Sequence, residues 1–289
     1  MRKLFPKRSG FLFRNQASIL FVSLWTLVIL SIMAIGISSR VSAEINLVKF
    51  LNNNLISLYL AKAAVARVKV EFENDKTPNY DTLYELGKAR NYDLEDATVK
   101  LNLIDEASFI DINNAPVDIL ANLPGIDLDL ATQISQFTLK PFKIKEELLL
   151  VEGISEEIFL KIKDLITTHS QGRVNINTAS AAVLEILGLD SQFIDIILSY
   201  RKGNDYEEAT EDDNVFESVA TIIDNLKLYG LITVAHEEQI ARLKEQNLLC
   251  VEAKNLRLEV ETEFVGRPVK DYVIVFDRGT NKIKFWQEK

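Results

Sequence analysis

Cysteine occurs once in the 289 residues, at Cys250, which excludes a disulfide scaffold and a thiolate metal cluster. Histidine occurs twice, and His169 and His236 lie too far apart in sequence to suggest a histidine metal site. The chain lacks a phosphate-binding loop, a dinucleotide glycine fingerprint and any Ser/His/Asp grouping. No catalysis is therefore expected. His169 and His236 read as surface or capping residues, and Cys250 as a small buried residue. A positive balance is missing too: 33 Lys+Arg against 42 Asp+Glu leave a formal net charge of −9, which argues against nonspecific nucleic-acid binding. With 47% apolar and 26% charged residues, disorder and low-complexity classes are excluded. The length suggests two domains, or one domain carrying an insertion.

Charge is also absent locally. From Ala17 to Ser39 there is no charged residue over 23 positions, while Arg2, Lys3, Lys7, Arg8 and Arg14 precede the run without any acid. A helix of that length spans about 35 Å, enough for a bilayer core. Cations on its N-terminal side predict a cytoplasmic N-terminus, with the rest of the chain on the opposite face of the membrane. Apolar residues continue at helical spacing through Leu55, Leu58, Ala61, Val65, Val68 and Phe72. One helix from about Ser18 to about Glu73 is expected, its first half suited to lipid and its second to a protein core. Asn74, Asp75, Thr77 and Pro78 end it.

Period-two alternation marks strands. Residues 98–104 alternate Val99, Leu101 and Leu103 against Lys100 and Asn102. In 256–264, Leu256, Leu258, Val260, Thr262 and Phe264 face one way, and Arg257, Glu259, Glu261 and Glu263 the other. Residues 272–276 and 283–286 read as a hairpin around Arg278-Gly279-Thr280-Asn281. One strand precedes residue 105 and the others follow 249, so the region between reads as an insertion. It contains a repeat: Ile112-Asn113-Asn114-Ala115 matches Ile176-Asn177-Thr178-Ala179 at an offset of 64. Asn114 and Thr178 are expected to cap short helices. Gly125 and Gly188 are expected to make the tight turns that follow, with further turns at Gly153 and after Phe216. The pattern resembles a helix-hairpin-helix repeat.

The segment Ala17-Ser18-Ile19-Leu20-Phe21-Val22-Ser23-Leu24-Trp25 resembles the N-terminus of the type II secretion minor pseudopilin K (GspK) family. Asp105-Glu106 with Ile112-Asn113-Asn114, and the final Phe285-Trp286-Gln287-Glu288, are similar to that family's later motifs. The resemblance implies an α+β fold: a long N-terminal transmembrane helix packed on a small antiparallel, pilin-like sheet, with an inserted all-α helix-hairpin-helix (SAM-like) domain. It implies a leader over 1–17 that prepilin peptidase removes between Ala17 and Ser18, where Ala stands for the family's usual Gly. Mature position five is then Val22, where other pseudopilins carry Glu. A lipid-facing segment over 18–40 follows, then sheet-domain residues 41–104, the insertion over 105–230 and the rest of the sheet domain over 231–289. The implied role is a non-enzymatic tip subunit of the pseudopilus in the bacterial inner membrane, with its head in the periplasm and I- and J-type pseudopilins as partners.

Two further readings concern the insertion. Helix-hairpin-helix motifs often meet phosphates through hairpin amides, so a membrane-anchored DNA-uptake receptor of the ComEA type is the alternative. Residues 105–230 carry 23 Asp+Glu and 9 Lys+Arg, and carboxylates follow Gly125, Gly153 and Gly188, so no nucleic acid is expected. Between Asp205 and Asn214 lie six carboxylates. The stretch reads as a solvated acidic loop, or as a Ca²⁺ site involving Asp205, Asp212 or Asp213, without the spacing of an EF-hand.

Overall fold

The structure is a computed structural model that describes residues 13–75, 77–230 and 232–289, with side chains from residue 19 onward. Helix α1 (Phe13–Glu73) contributes to two compact units, residues 1–56 and Ser57–Lys289. In the first unit, no described side chain is buried; Leu20 is 74% exposed and Trp25 55%. The stretch from Ile19 onward is long and apolar enough to cross a membrane. The expected cleavage position Ala17-Ser18 lies in the helical backbone, Val22 is exposed, and leader residues 1–12 lie outside the described residues.

The second unit begins within α1 and continues through α2 (Leu83–Gly87), β1 (Arg90–Leu94) and β2 (Ala97–Asp105). Next come β3 (Ile110–Asp111), α3 (Val117–Leu120), α4 (Leu128–Gln136), α5 (Glu156–Ile162) and β4 (Ile166–Thr167). Then follow β5 (Val174–Asn175), α6 (Ala181–Ile186), α7 (Ser191–Arg201), α8 (Ile222–Tyr229), α9 (Val234–Glu245) and β6 (Leu249–Cys250). The chain closes with β7 (Asn255–Phe264), β8 (Arg267–Asp277) and β9 (Lys282–Glu288).

Five strands form one antiparallel sheet in the order β1-β2-β7-β8-β9. Its alternation is the one read from 256–264: Leu256, Leu258 and Val260 are buried with Leu101, Leu103, Ile274 and Phe276. Ala61, Ala64, Val65 and Val68 of α1 complete that core, the two alanines allowing close approach. Burial of each larger side chain contributes about 1.5–3 kcal/mol. A small polar knot sits in it, where Ser57 Oγ meets Thr262 Oγ1 at 2.6 Å and donates to Tyr272 OH at 3.0 Å.

The helical insertion has a separate core built from both repeats. Its extent corrects the expected boundary at 231. Ile240, Leu243, Leu248, Leu249 and Val251 are buried in the helical core, and β6 pairs in parallel with β5. The chain returns to the sheet at Asn255. Helix α9 is polar on most of its surface, and its thin apolar stripe is claimed by the helices beside it.

Candidate functional site

The insertion is two copies of one unit, residues 110–167 and 174–250. Each opens on a two-residue strand and closes by pairing it in parallel, Ile110 with Ile166 and Val174 with Leu249. Asp111 and Asn175, 64 positions apart in the repeat, each accept an amide two residues on, from Asn113 at 2.9 Å and Asn177 at 3.0 Å. Asn113 then grips the backbone of Phe142, accepting its N–H at 2.8 Å and donating to its carbonyl at 3.0 Å. Asn177 grips Phe216 in the same way, at 3.0 Å for both bonds. Each repeated Asn thus fastens a loop downstream of the hairpin helices.

Asn114 and Thr178 do not cap helices as expected. Asn114 donates to Asp111 Oδ2 at 2.6 Å and Thr178 to Asp105 Oδ2 at 2.9 Å. Pro116 holds the N-cap position of α3 without a side-chain cap, and Ser180 caps α6. Gly125, Gly153 and Gly188 have φ of 83°, 92° and 81°, a left-handed region that favours glycine. The residues that follow cap the next helices: Asp127 accepts from Leu130 N at 2.8 Å, Ser155 from Ile158 N at 3.2 Å and Asp190 from Phe193 N at 2.9 Å. Gly230 after α8 is extended, and Thr233 caps α9.

Asp105-Glu106 lies where the insertion leaves the sheet. Both side chains are at most 1% exposed. Asp105 accepts from Ala107 N at 2.8 Å, Asn175 Nδ2 at 2.8 Å and Thr178 Oγ1 at 2.9 Å. Burial pushes its pKa up to about 6. Glu106 forks onto Arg257 of β7, at 2.7 Å to Nε and 3.0 Å to Nη2, and accepts from Thr167 of β4. A second lock holds the returning chain. Buried Asp81 takes Arg278 Nη1 at 2.7 Å and the amide of Ala253 at 2.7 Å. The only sequence sign of Arg257 was its place as the one cation in an outward row of glutamates. Asp81 and Arg278 carried no sign.

The acidic loop is held by its own carboxylates. Asp212 Oδ2 accepts the amides of Asn204 at 2.8 Å and Asp205 at 3.2 Å, which keeps its pKa below the usual range. Asp213 accepts from Ala209 N at 2.9 Å and Asp205 from Glu207 N at 2.8 Å. Glu208 neutralises buried Arg201 at 3.0 Å. Among the described residues no three His, Cys, Asp or Glu side chains converge on a point that could hold a metal. Asp205, Asp212 and Asp213 thus serve as amide acceptors that shape the loop.

His236 completes the α9 capping box, its Nδ1 accepting from Thr233 N at 3.3 Å. His169 is half-buried against the Phe285 ring, with 5.1 Å between centroids. Cys250 is half-exposed, and desolvation pushes its thiol up to about 12, so it carries no thiolate at neutral pH.

The chain is an α+β protein with a pilin-like fold: a long apolar N-terminal helix, an antiparallel sheet and a helix-hairpin-helix insertion. Residues 105–167 match the helix-hairpin-helix motif family. No curated protein matches the chain. The fold is shared with a chain in the crystal structure of the GspK-GspI-GspJ complex from the type 2 secretion system of enterotoxigenic Escherichia coli. That likeness has a TM-score of 0.60 at 14% identity, and covers 83% of this chain and 97% of the other.

Two outcomes are expected at the joint. Arg257→Ala alone leaves Glu106 buried without its cation and should cost about 3–5 kcal/mol. Adding Glu106→Gln should recover roughly half of that, as read by denaturation of the full chain in detergent. For Asp105, the pKa is raised from 3.8 to about 6, so its contribution is fully present below about pH 4 and is lost as pH rises through 6. Melting temperatures of wild type and Asp105→Asn should therefore draw together between pH 4 and 6 and run parallel above 7.

Proposed function

We propose that this chain is a K-type minor pseudopilin, a non-enzymatic subunit at the tip of a type II secretion pseudopilus that takes part in protein secretion. The observation that carries this reading is the combination matched by the solved structure: an apolar α1, a pilin-like sheet and a helical insertion between β2 and β7. In this reading the apolar part of α1 spans the bacterial inner membrane, with its N-terminus in the cytoplasm and the head in the periplasm. Prepilin peptidase removes the leader at Ala17-Ser18. The exposed helix then packs against those of I- and J-type subunits, the partners suggested by the complex named above.

Val22 supports the tip position. A carboxylate at mature position five is costly in lipid unless a neighbouring subunit pairs with it. A terminal subunit has no such neighbour above it, and an apolar residue suffices. The insertion enlarges the head, leaves no room for a further subunit and offers a surface to secreted substrate or to an outer-membrane channel. The buried joint at Asp105-Glu106 fastens it to the sheet.

The helix-hairpin-helix match supports one other reading, a membrane-anchored DNA receptor of the ComEA type. Electrostatics favour the pseudopilin. Asp127 and Asp190 occupy helix N-termini where phosphate would be received, and Asp118, Asp129, Glu152, Glu156 and Glu185 are exposed around them.

The mature protein should begin at Ser18 by N-terminal sequencing, and the full chain should purify with I- and J-type subunits on co-expression. An intact Met1 together with no association would overturn the assignment. In a gel shift at low salt the chain should leave duplex DNA unbound; tight binding that weakens with salt would favour the receptor.

A further inference from the structure

The face of the sheet turned away from α1 forms, with the first repeat, a cleft of about 220 Å³. Val273, Val275 and Phe285 line its sheet side, and Ile144 and Lys145 its helical side. That volume is below the roughly 300–1,000 Å³ of small-molecule sites, so the cleft suits one residue-sized group rather than a cofactor.

Lys145 distinguishes the cleft. It is half-buried, and Nζ donates to the Lys163 carbonyl at 2.7 Å while lying 5.4 Å from the centre of the Phe109 ring. An ammonium has three donors, and the structure assigns one of them. Among the described residues it makes no ion pair, because Glu106, the buried acid of the cleft, is committed to Arg257 and Thr167. A half-buried cation without an anion is costly. Desolvation and the neighbouring Arg257 guanidinium pull its pKa down to about 8. His169 stands beside it against Phe285, kept neutral by burial, and adds no competing charge at pH 7. Of the other lining charges, Arg257 pairs with Glu106, and two cations, Lys163 and Lys289, stand among three acids, Glu146, Asp164 and Glu259; the attraction for an anion therefore rests on Lys145 Nζ itself.

We propose that this cleft binds a carboxylate of a partner polypeptide, one residue deep, with the carboxylate on Lys145 Nζ and its apolar portion against Val273 and Phe285. The carboxylate is that of a chain terminus, because the apolar wall accepts an apolar side chain on the same residue, and two probes test this. N-acetyl-leucine carries a terminal carboxylate; N-acetylglutamate α-amide carries only the side-chain one. N-acetyl-leucinamide is the neutral control. This site stands or falls separately from the secretion role.

The test is lysine acetylation of the full chain in detergent at pH 8, read residue by residue by mass spectrometry. At about 10 mM, a carboxylate that binds with a Kd of about 1 mM should slow acetylation of Lys145 about tenfold while Lys163 is unchanged. Protection by N-acetyl-leucine is expected, and protection by N-acetylglutamate α-amide alone would overturn the assignment to a terminus. In equilibrium dialysis N-acetyl-leucine should be lost from Lys145→Met and retained by Lys145→Arg. Protection by neither carboxylate beyond the neutral control, or undiminished binding by Lys145→Met, would overturn the proposal.

Discussion

The insertion is held at two points that are neighbours on the sheet. Asp105, the last residue of β2, pairs in register with Leu256 of β7, so the departing and returning chains lie side by side. Two adjacent carboxylates are buried there, which is tolerable only if both are satisfied. Asp105 is satisfied by neutral donors of the second repeat, and Glu106 by a guanidinium on the sheet and a hydroxyl of the first repeat. One dipeptide thereby connects the sheet with both halves of the insertion. The Asp81–Arg278 pair repeats the device on the returning side, where Asp81 N also donates to the Val251 carbonyl.

The surplus acid of the insertion has two kinds of work. Asp111, Asp127, Asp190, Asp212 and Asp213 satisfy backbone amides, and Glu208 neutralises buried Arg201. Apart from buried Asp105 and Glu106, most of the remaining acids are exposed and give the hairpins a negative exterior. The same charge that makes phosphate an unsuitable ligand therefore supplies caps and turns that the many short helices need. Asn122 Nδ2 donates to the Ile186 carbonyl at 2.8 Å, a contact between positions 64 apart that meet where the two repeats face each other.

Much of the architecture was legible. The charge-free run, the outward glutamates of β7 and the duplicated Ile-Asn motif are local patterns, and each corresponds to an element or unit in the fold. The misreadings share a cause. Asn114 and Thr178 have side chains that can cap a helix or join a network, and the choice was made by Asp111 and Asp105 nearby in space. The range 231–289 reads as sheet domain, whereas Ile240 and Leu243 of α9 find their apolar partners among the helices. Strand β1, a short and mostly exposed edge, showed no alternation to read.

The sequence by itself determined the periodic features: a helix apolar all round and then on one side, strands with two unlike faces, and a unit used twice. These follow from the 3.6-residue and two-residue repeats of helix and strand, which any neighbouring residues express. Only the tertiary structure decided which charges meet. Glu106 and Arg257 are 151 positions apart, and Asp81 and Arg278 are 197 apart. The cleft at Lys145 likewise exists only where sheet and insertion come together. Such pairings depend on chain reversals and burial, and no local pattern of residues encodes them.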